Sequence, residues 1–206
     1  MHMDVVKTVV IRDPWDVDRR LSELRLTRKG LLAARDVALH ESANATPFHP
    51  ANAAGTFSYH HGTWAIRDQF VGGDWKEDRV DGIEAIRNDA LKVKVAFSNV
   101  DLACDDTHSP KPRSRKGAGA ERASGGSLFA DLPHYIPRQT GGYLLYYLMV
   151  DERGAAELTR PVIKGGTFVV PIERLYLSQG DEDDRAILVD DDGGPLDNFD
   201  PQIVRK

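Results

Sequence analysis

Tyr143-Leu-Leu-Tyr-Tyr-Leu-Met-Val150 and Glu157-Leu-Thr-Arg-Pro-Val-Ile163 flank Asp151-Glu-Arg-Gly154, and this stretch decides the fold class. Both runs are rich in aromatic and branched side chains that fit a pleated surface. Gly154 can take positive φ without a Cβ penalty, so the pair reads as a β-hairpin. Upstream, Lys92-Val-Lys-Val-Ala-Phe-Ser-Asn-Val100 puts Val93, Val95 and Phe97 on one face and Lys92, Lys94 and Ser98 on the other, the pattern of a half-buried antiparallel strand. Gly165-Gly166 precedes a strand over Thr167 to Val170, and Leu175-Tyr-Leu177 is a candidate for another.

The other half of the chain reads differently. Val5 to Ile11 is a β-branched first strand, stopped at Asp13-Pro14. Asp16 or Asp18 can cap a short helix over Arg19 to Leu26. After Thr27, Leu31, Leu32, Ala34, Arg35, Ala38 and Leu39 form a helical stripe, which Gly30 weakens in its first turn. Residues 41 to 55, with Pro47 and Pro50, read as a loop. Thr56-Phe-Ser-Tyr-His60 is then a short strand, and Gly62-Thr63 leads into a helix whose apolar side holds Trp64, Ile66, Phe70 and Val71. A third helix is expected over Gly82 to Leu91. The class that follows is α+β: a single domain with a mainly antiparallel sheet, helices mostly in the N-terminal half, and a long basic loop. Residues 1–178 form the globular domain, with a flexible basic loop at 107–127, and 179–206 form an acidic C-terminal segment.

No apolar run approaches the roughly 20 residues that cross a bilayer, and Asp4 and Lys7 stand where a signal peptide would be apolar. A cytoplasmic protein without membrane contact is expected. Cys104 is the only cysteine, so no internal disulfide is possible, and it reads as a small buried side chain.

The net charge of −5 hides a division. From Gln179 to Lys206 nine acidic residues face three basic ones, a balance of −6 that leaves about +1 for the rest. Against that near-neutral body, Thr107 to Ser127 carries five cations, Lys111, Arg113, Arg115, Lys116 and Arg122, and one anion, Glu121. Pro110, Pro112, Gly117 and Gly119 keep this segment extended and let its backbone approach a phosphate. Such a segment is ordered only on contact, and the contact it suits is an anion. The leading expectation is therefore a non-enzymatic protein that binds nucleic acid, RNA or DNA, or a nucleoprotein assembly, through these five residues. The acidic C-terminus can lie against the same loop, or can mimic phosphates and dock, inhibitor-like, on a basic protein partner.

His60-His61-Gly62-Thr63 carries the enzymatic alternative. A His-Gly-Thr strand end followed by a helix resembles the dinucleotide-binding start of ADP-ribosyltransferases. That resemblance implies a nucleotide-using transferase, with His61 on a ribose, Gly62 allowing close approach and Thr63 opening the helix. His40, Glu41, His49, His60, His61, Asp105, Asp106 and His108 supply metal-ligand chemistry but fall into no ligand motif. Lys92-Val-Lys94 lacks the acidic neighbour a carboxylate-and-lysine nuclease needs, and Gly117-Ala-Gly119 lacks the Lys-Ser or Lys-Thr of a phosphate loop. No catalytic residue, cofactor or metal is assigned from sequence.

Overall fold

The computed structural model describes residues 8–124 and 142–180. In chain order these form β1 (Val9–Ile11), α1 (Pro14–Glu23), α2 (Arg28–Ala43), α3 (Ala53–Phe70), β2 (Lys76–Asp78), β3 (Ala85–Asn88), β4 (Val93–Asn99), α4 (Ala118–Ala123), β5 (Leu144–Val150), β6 (Ala156–Lys164) and β7 (Thr167–Ser178). The seven strands make one sheet in the order β1-β7-β6-β5-β4-β3-β2. It is mixed but mostly antiparallel, with parallel pairing only at β1/β7 and β4/β5. The α+β class holds.

The expected hairpin is β5 and β6, paired through Tyr147 and Thr159, with Gly154 at φ 86° in the turn. The Asp151 side chain holds that turn by accepting from the amides of Arg153 and Ala155, at 2.9 and 3.1 Å. Two strand expectations, at Thr167 to Val170 and at Leu175 to Leu177, are one continuous strand, β7. Pro171, which lacks an amide, faces Pro161 where the register slips, so neither proline removes a bond the ladder needs.

β4 departs from its expected role. It is central, it pairs in parallel with β5, and it is buried on both faces. Its polar face is covered because its polar side chains find partners: Lys94 pairs with Asp78 at 2.6 Å and Ser98 accepts a bond from Lys116. One face of the sheet carries the helices, where Val93, Val95 and Phe97 pack with Leu21, Leu31 and Ile66. Residues 101–124 cover the other face, where Ala103, Cys104 and Ala120 pack with Ala96, Tyr147 and Phe168.

Several local expectations are corrected. Asp13, not Asp16 or Asp18, caps α1; its Oδ1 accepts from the Trp15 amide at 3.0 Å, and Pro14 supplies the first helical residue. Thr27 does cap α2, through the Gly30 amide. Gly30 lets α3 close in, because a Cβ there would stand 2.6 Å from the Phe70 ring. Thr56 to His60 is helical: its β-favouring residues lie within α3, which buries Ser58, Gly62, Thr63, Ala65 and Ile66. Within that helix Trp64 faces outward, 56% exposed, rather than joining the apolar side. The third expected helix, at 82–91, is instead a 3-10 turn at Val80–Gly82 followed by β3, because pairing with both β2 and β4 outweighs local propensity. Of the expected first strand, residues 5–7 lie outside the described residues, as do 125–127 of the basic loop and 181–206 of the acidic segment.

Candidate functional site

Residues 101–124, which take in the described part of the segment expected to be a flexible basic loop, form a strap across the sheet. Its first half is held by a buried ion pair. Arg174 on β7 meets Glu157 on β6 through two bonds, Nη2 to Oε2 at 2.7 Å and Nε to Oε1 at 3.0 Å. Arg174 Nη1 also donates to the carbonyls of Asp105 and His108, while Glu157 accepts from the Cys104 amide at 2.7 Å. A bidentate pair that also binds the strap's backbone at Cys104, Asp105 and His108 fixes its path. Further on, Val100 bridges Pro112 and the Lys116 amide donates to the Gly166 carbonyl at 2.8 Å. The strap then ends in α4.

The five cations nominated from sequence separate into two groups. Lys111 Nζ donates to the Phe168 carbonyl at 2.9 Å, and Arg122 pairs with Asp81 at 3.2 Å. Arg113, Arg115 and Lys116 line two adjoining cavities between α3 and the strap. The larger, about 440 Å³, is lined by polar groups including Asn52, Ser58, His60 and Arg113; the smaller, about 190 Å³, includes Glu84, Ser98, Arg115, Lys116 and Tyr147. Tyr59, Asn99 and Ser114 line both. The cleft thus opens where β4 and β5 run side by side to their carboxyl ends, a place in which backbone leaves the sheet and makes room for ligands. Asn99 anchors its wall, accepting from Ser58 at 2.7 Å and donating to the Gly55 carbonyl at 2.9 Å, which ties α3 to the end of β4.

The acids of the cleft are already matched. Glu152 pairs with Arg113, Glu84 with Arg67 at 2.5 Å and with Arg79 at 3.6 Å, and Asp151 is committed to the hairpin turn and to the Ala103 amide. Among the described residues Arg115 makes only a 3.4 Å bond to the Gly165 carbonyl. Lys116 is largely buried and has no carboxylate partner among the described residues; its Nζ donates to Ser98 Oγ at 2.8 Å and lies 5.1 and 5.4 Å from the centres of the Tyr147 and Phe168 rings. Burial lowers its pKa from 10.5 to about 8, so near neutrality a share of the side chain is the free amine. Burial pushes the Tyr147 phenol up, which keeps it protonated and a donor.

The other sequence candidates do not assemble. His61 and Thr63 sit in mid-helix, with no strand end before them, so the ADP-ribosyltransferase-like arrangement is absent. Gly62 is small for packing, since a Cβ there would stand 2.6 Å from Phe97. His61 Nε2 lies 3.8 Å from Glu41, beside the cleft rather than in it. Cys104 is buried, with burial and then Glu157 raising its pKa, which leaves a thiol rather than a nucleophilic thiolate. Among the described residues no three His, Cys, Asp or Glu side chains group around a metal position, and no helix is long and apolar enough to cross a membrane.

Of the residues that line the cleft, the sequence singles out Arg113, Arg115 and Lys116 and passes over Ser98, Tyr59, Asn99 and Tyr147 as site candidates. The alternation along β4 carried the one available signal, because it separates Ser98 from the apolar face. The chain matches no protein-family model, no curated protein and no solved structure.

Proposed function

We propose that the protein binds the phosphate backbone of a nucleic-acid strand in the cleft between α3 and the strap. One observation carries this reading: among the described residues Arg115 and Lys116 line the cleft without a carboxylate partner, while each acid of the cleft is engaged by a cation or by backbone amides. An anionic ligand supplies what those two side chains lack. Contacts from Arg and Lys to phosphate position a strand without reading its sequence. Tyr59, 37% exposed and edge-on to His60 with ring centres 5.8 Å apart, offers a face on which a base can stack.

The test separates the two groups of cations. Arg115→Ala lowers affinity for a single-stranded oligonucleotide and reduces the slope of log affinity against log salt by about 0.7, the contribution of one phosphate contact. Lys111→Ala and Arg122→Ala leave both unchanged, because those residues face protein groups outside the cleft. Equal losses for Arg115→Ala and Arg122→Ala, or no binding by the unsubstituted protein at low salt, defeat the proposal.

A further inference from the structure

The smaller cavity holds more than positive charge. It brings together an amine, an aliphatic hydroxyl and a phenol on three parts of the chain: Lys116 on the strap, Ser98 on β4 and Tyr147 on β5. A Lys that only neutralised phosphate would be expected at the rim, hydrated, as Arg115 is. Lys116 instead reaches inward over the Tyr147 and Phe168 rings and donates to Ser98. About 190 Å³ is several times the roughly 30 Å³ share of one liquid water, enough for a small sugar but not for a base pair.

From this geometry we infer that Lys116 captures a phosphorylated sugar aldehyde as an imine, with the aldehyde in the smaller cavity and its phosphate toward Arg115. The inference rests on the phosphate-binding reading above and names a substrate for the same cleft. The Lys116 lone pair adds to the carbonyl carbon while the C=O π pair moves onto oxygen. Both nitrogen protons pass to that oxygen, which leaves as water as the C=N bond forms. No oxidant, reductant or metal is needed. Ser98, at 2.8 Å from Nζ, relays the proton, and the Tyr147 phenol donates to the developing alkoxide. The free amine that burial makes accessible near pH 8 is the form that reacts.

Two sources present this chemistry: a free sugar phosphate in its open-chain form, and the ring-opened deoxyribose of an abasic position in a DNA strand. The experiment uses both, deoxyribose 5-phosphate and a single-stranded oligonucleotide with one abasic position, each followed by borohydride to reduce the imine. Intact mass and peptide mapping are expected to place one adduct on Lys116, absent in Lys116→Arg and formed at least tenfold more slowly in Ser98→Ala. Its rate should rise with pH through about 8, whereas a surface lysine would respond only near 10. An adduct from the strand alone assigns a polynucleotide substrate; one from the free sugar assigns a metabolite. No adduct from either probe, or adducts spread over other lysines of the unsubstituted protein, overturns the inference, and mapping on that protein decides the matter even where Lys116→Arg does not fold. Strand binding without any adduct defeats the imine alone. An adduct from the sugar phosphate without strand binding defeats the nucleic-acid reading alone.

Discussion

Arg174 and Lys116 are cations drawn under the same strap, and they are treated in opposite ways. Arg174, 3% exposed, meets Glu157 twice and gives its remaining donors to two strap carbonyls. Lys116 meets a hydroxyl and two aromatic faces, and no carboxylate among the described residues. A buried charge that is fully paired does structural work, because its desolvation is offset inside the protein. One left without its counter-ion holds an unmet demand that a ligand, a proton loss or a reaction can satisfy. The first half of the strap is therefore read as architecture and the second as site.

The largest effect that can break this contrast comes from Glu157. Glu157→Gln leaves Arg174 charged and buried without its counter-ion, and one carboxamide oxygen no longer serves the Cys104 amide and the Thr159 hydroxyl as two carboxylate oxygens do. A loss of about 3–5 kcal/mol in unfolding free energy by denaturant titration is expected. Replacing the pair together, Glu157→Leu with Arg174→Met, costs clearly less than the sum of the single changes, since neither charge is stranded. A single substitution costing under 1 kcal/mol would mean the pair does not organise the strap.

Lys116 predicts a smaller effect of opposite sense. Its folded pKa, about 8, lies below the 10.5 of an exposed lysine. Between those values the unfolded chain holds the proton that the folded one has released, so stability rises with pH across that window. The shift corresponds to roughly 3 kcal/mol at most. Lys116→Met removes the charge, so the variant matches or exceeds the unsubstituted protein at pH 7 and loses its advantage as pH climbs toward 10. Buried Tyr146 and Tyr147, whose folded pKa values are raised, withdraw stability only above the ordinary tyrosine range, and they do so in both proteins. Parallel stability curves from pH 7 to 10 would show that Lys116 is charged and contented in its aromatic setting.

The contrast also explains what could be read in advance. The hairpin at 143–163 was legible because its signals are local: β-favouring side chains, a turn and a glycine at the one position needing positive φ. The density of cations in the strap was legible for the same reason. Where they would go was not. Lys111 and Arg122 differ from Arg113 and Arg115 in nothing that composition displays, only in whether Phe168, Asp81 or a cavity lies opposite. Gly82 to Leu91 and Thr56 to His60 depart from their local propensity because pairing to β4 and packing on α2 override it over such short stretches. Ser98 belonged to a face expected to meet solvent, and only a strap returning over the sheet turns it inward.

The smallest effect offers the finest discrimination. Arg113 pairs with Glu152 at the mouth of the larger cavity, where Glu152 is 72% exposed. An exposed pair of this kind contributes about 0–1 kcal/mol to stability, so Glu152→Gln leaves the denaturation midpoint nearly unchanged. Binding responds instead. With its internal counter-ion gone, Arg113 becomes a third cation of the cleft open to phosphate, so affinity for a strand increases several-fold at low salt and the salt slope steepens by about 0.7. Glu152→Gln would then act opposite to Arg115→Ala within one cavity system while both leave the fold intact. If Glu152→Gln binds no better, Arg113 is a brace between the strap and the end of β4 through its bond to the Val100 carbonyl, and the anion-binding part of the cleft contracts to Arg115 and Lys116.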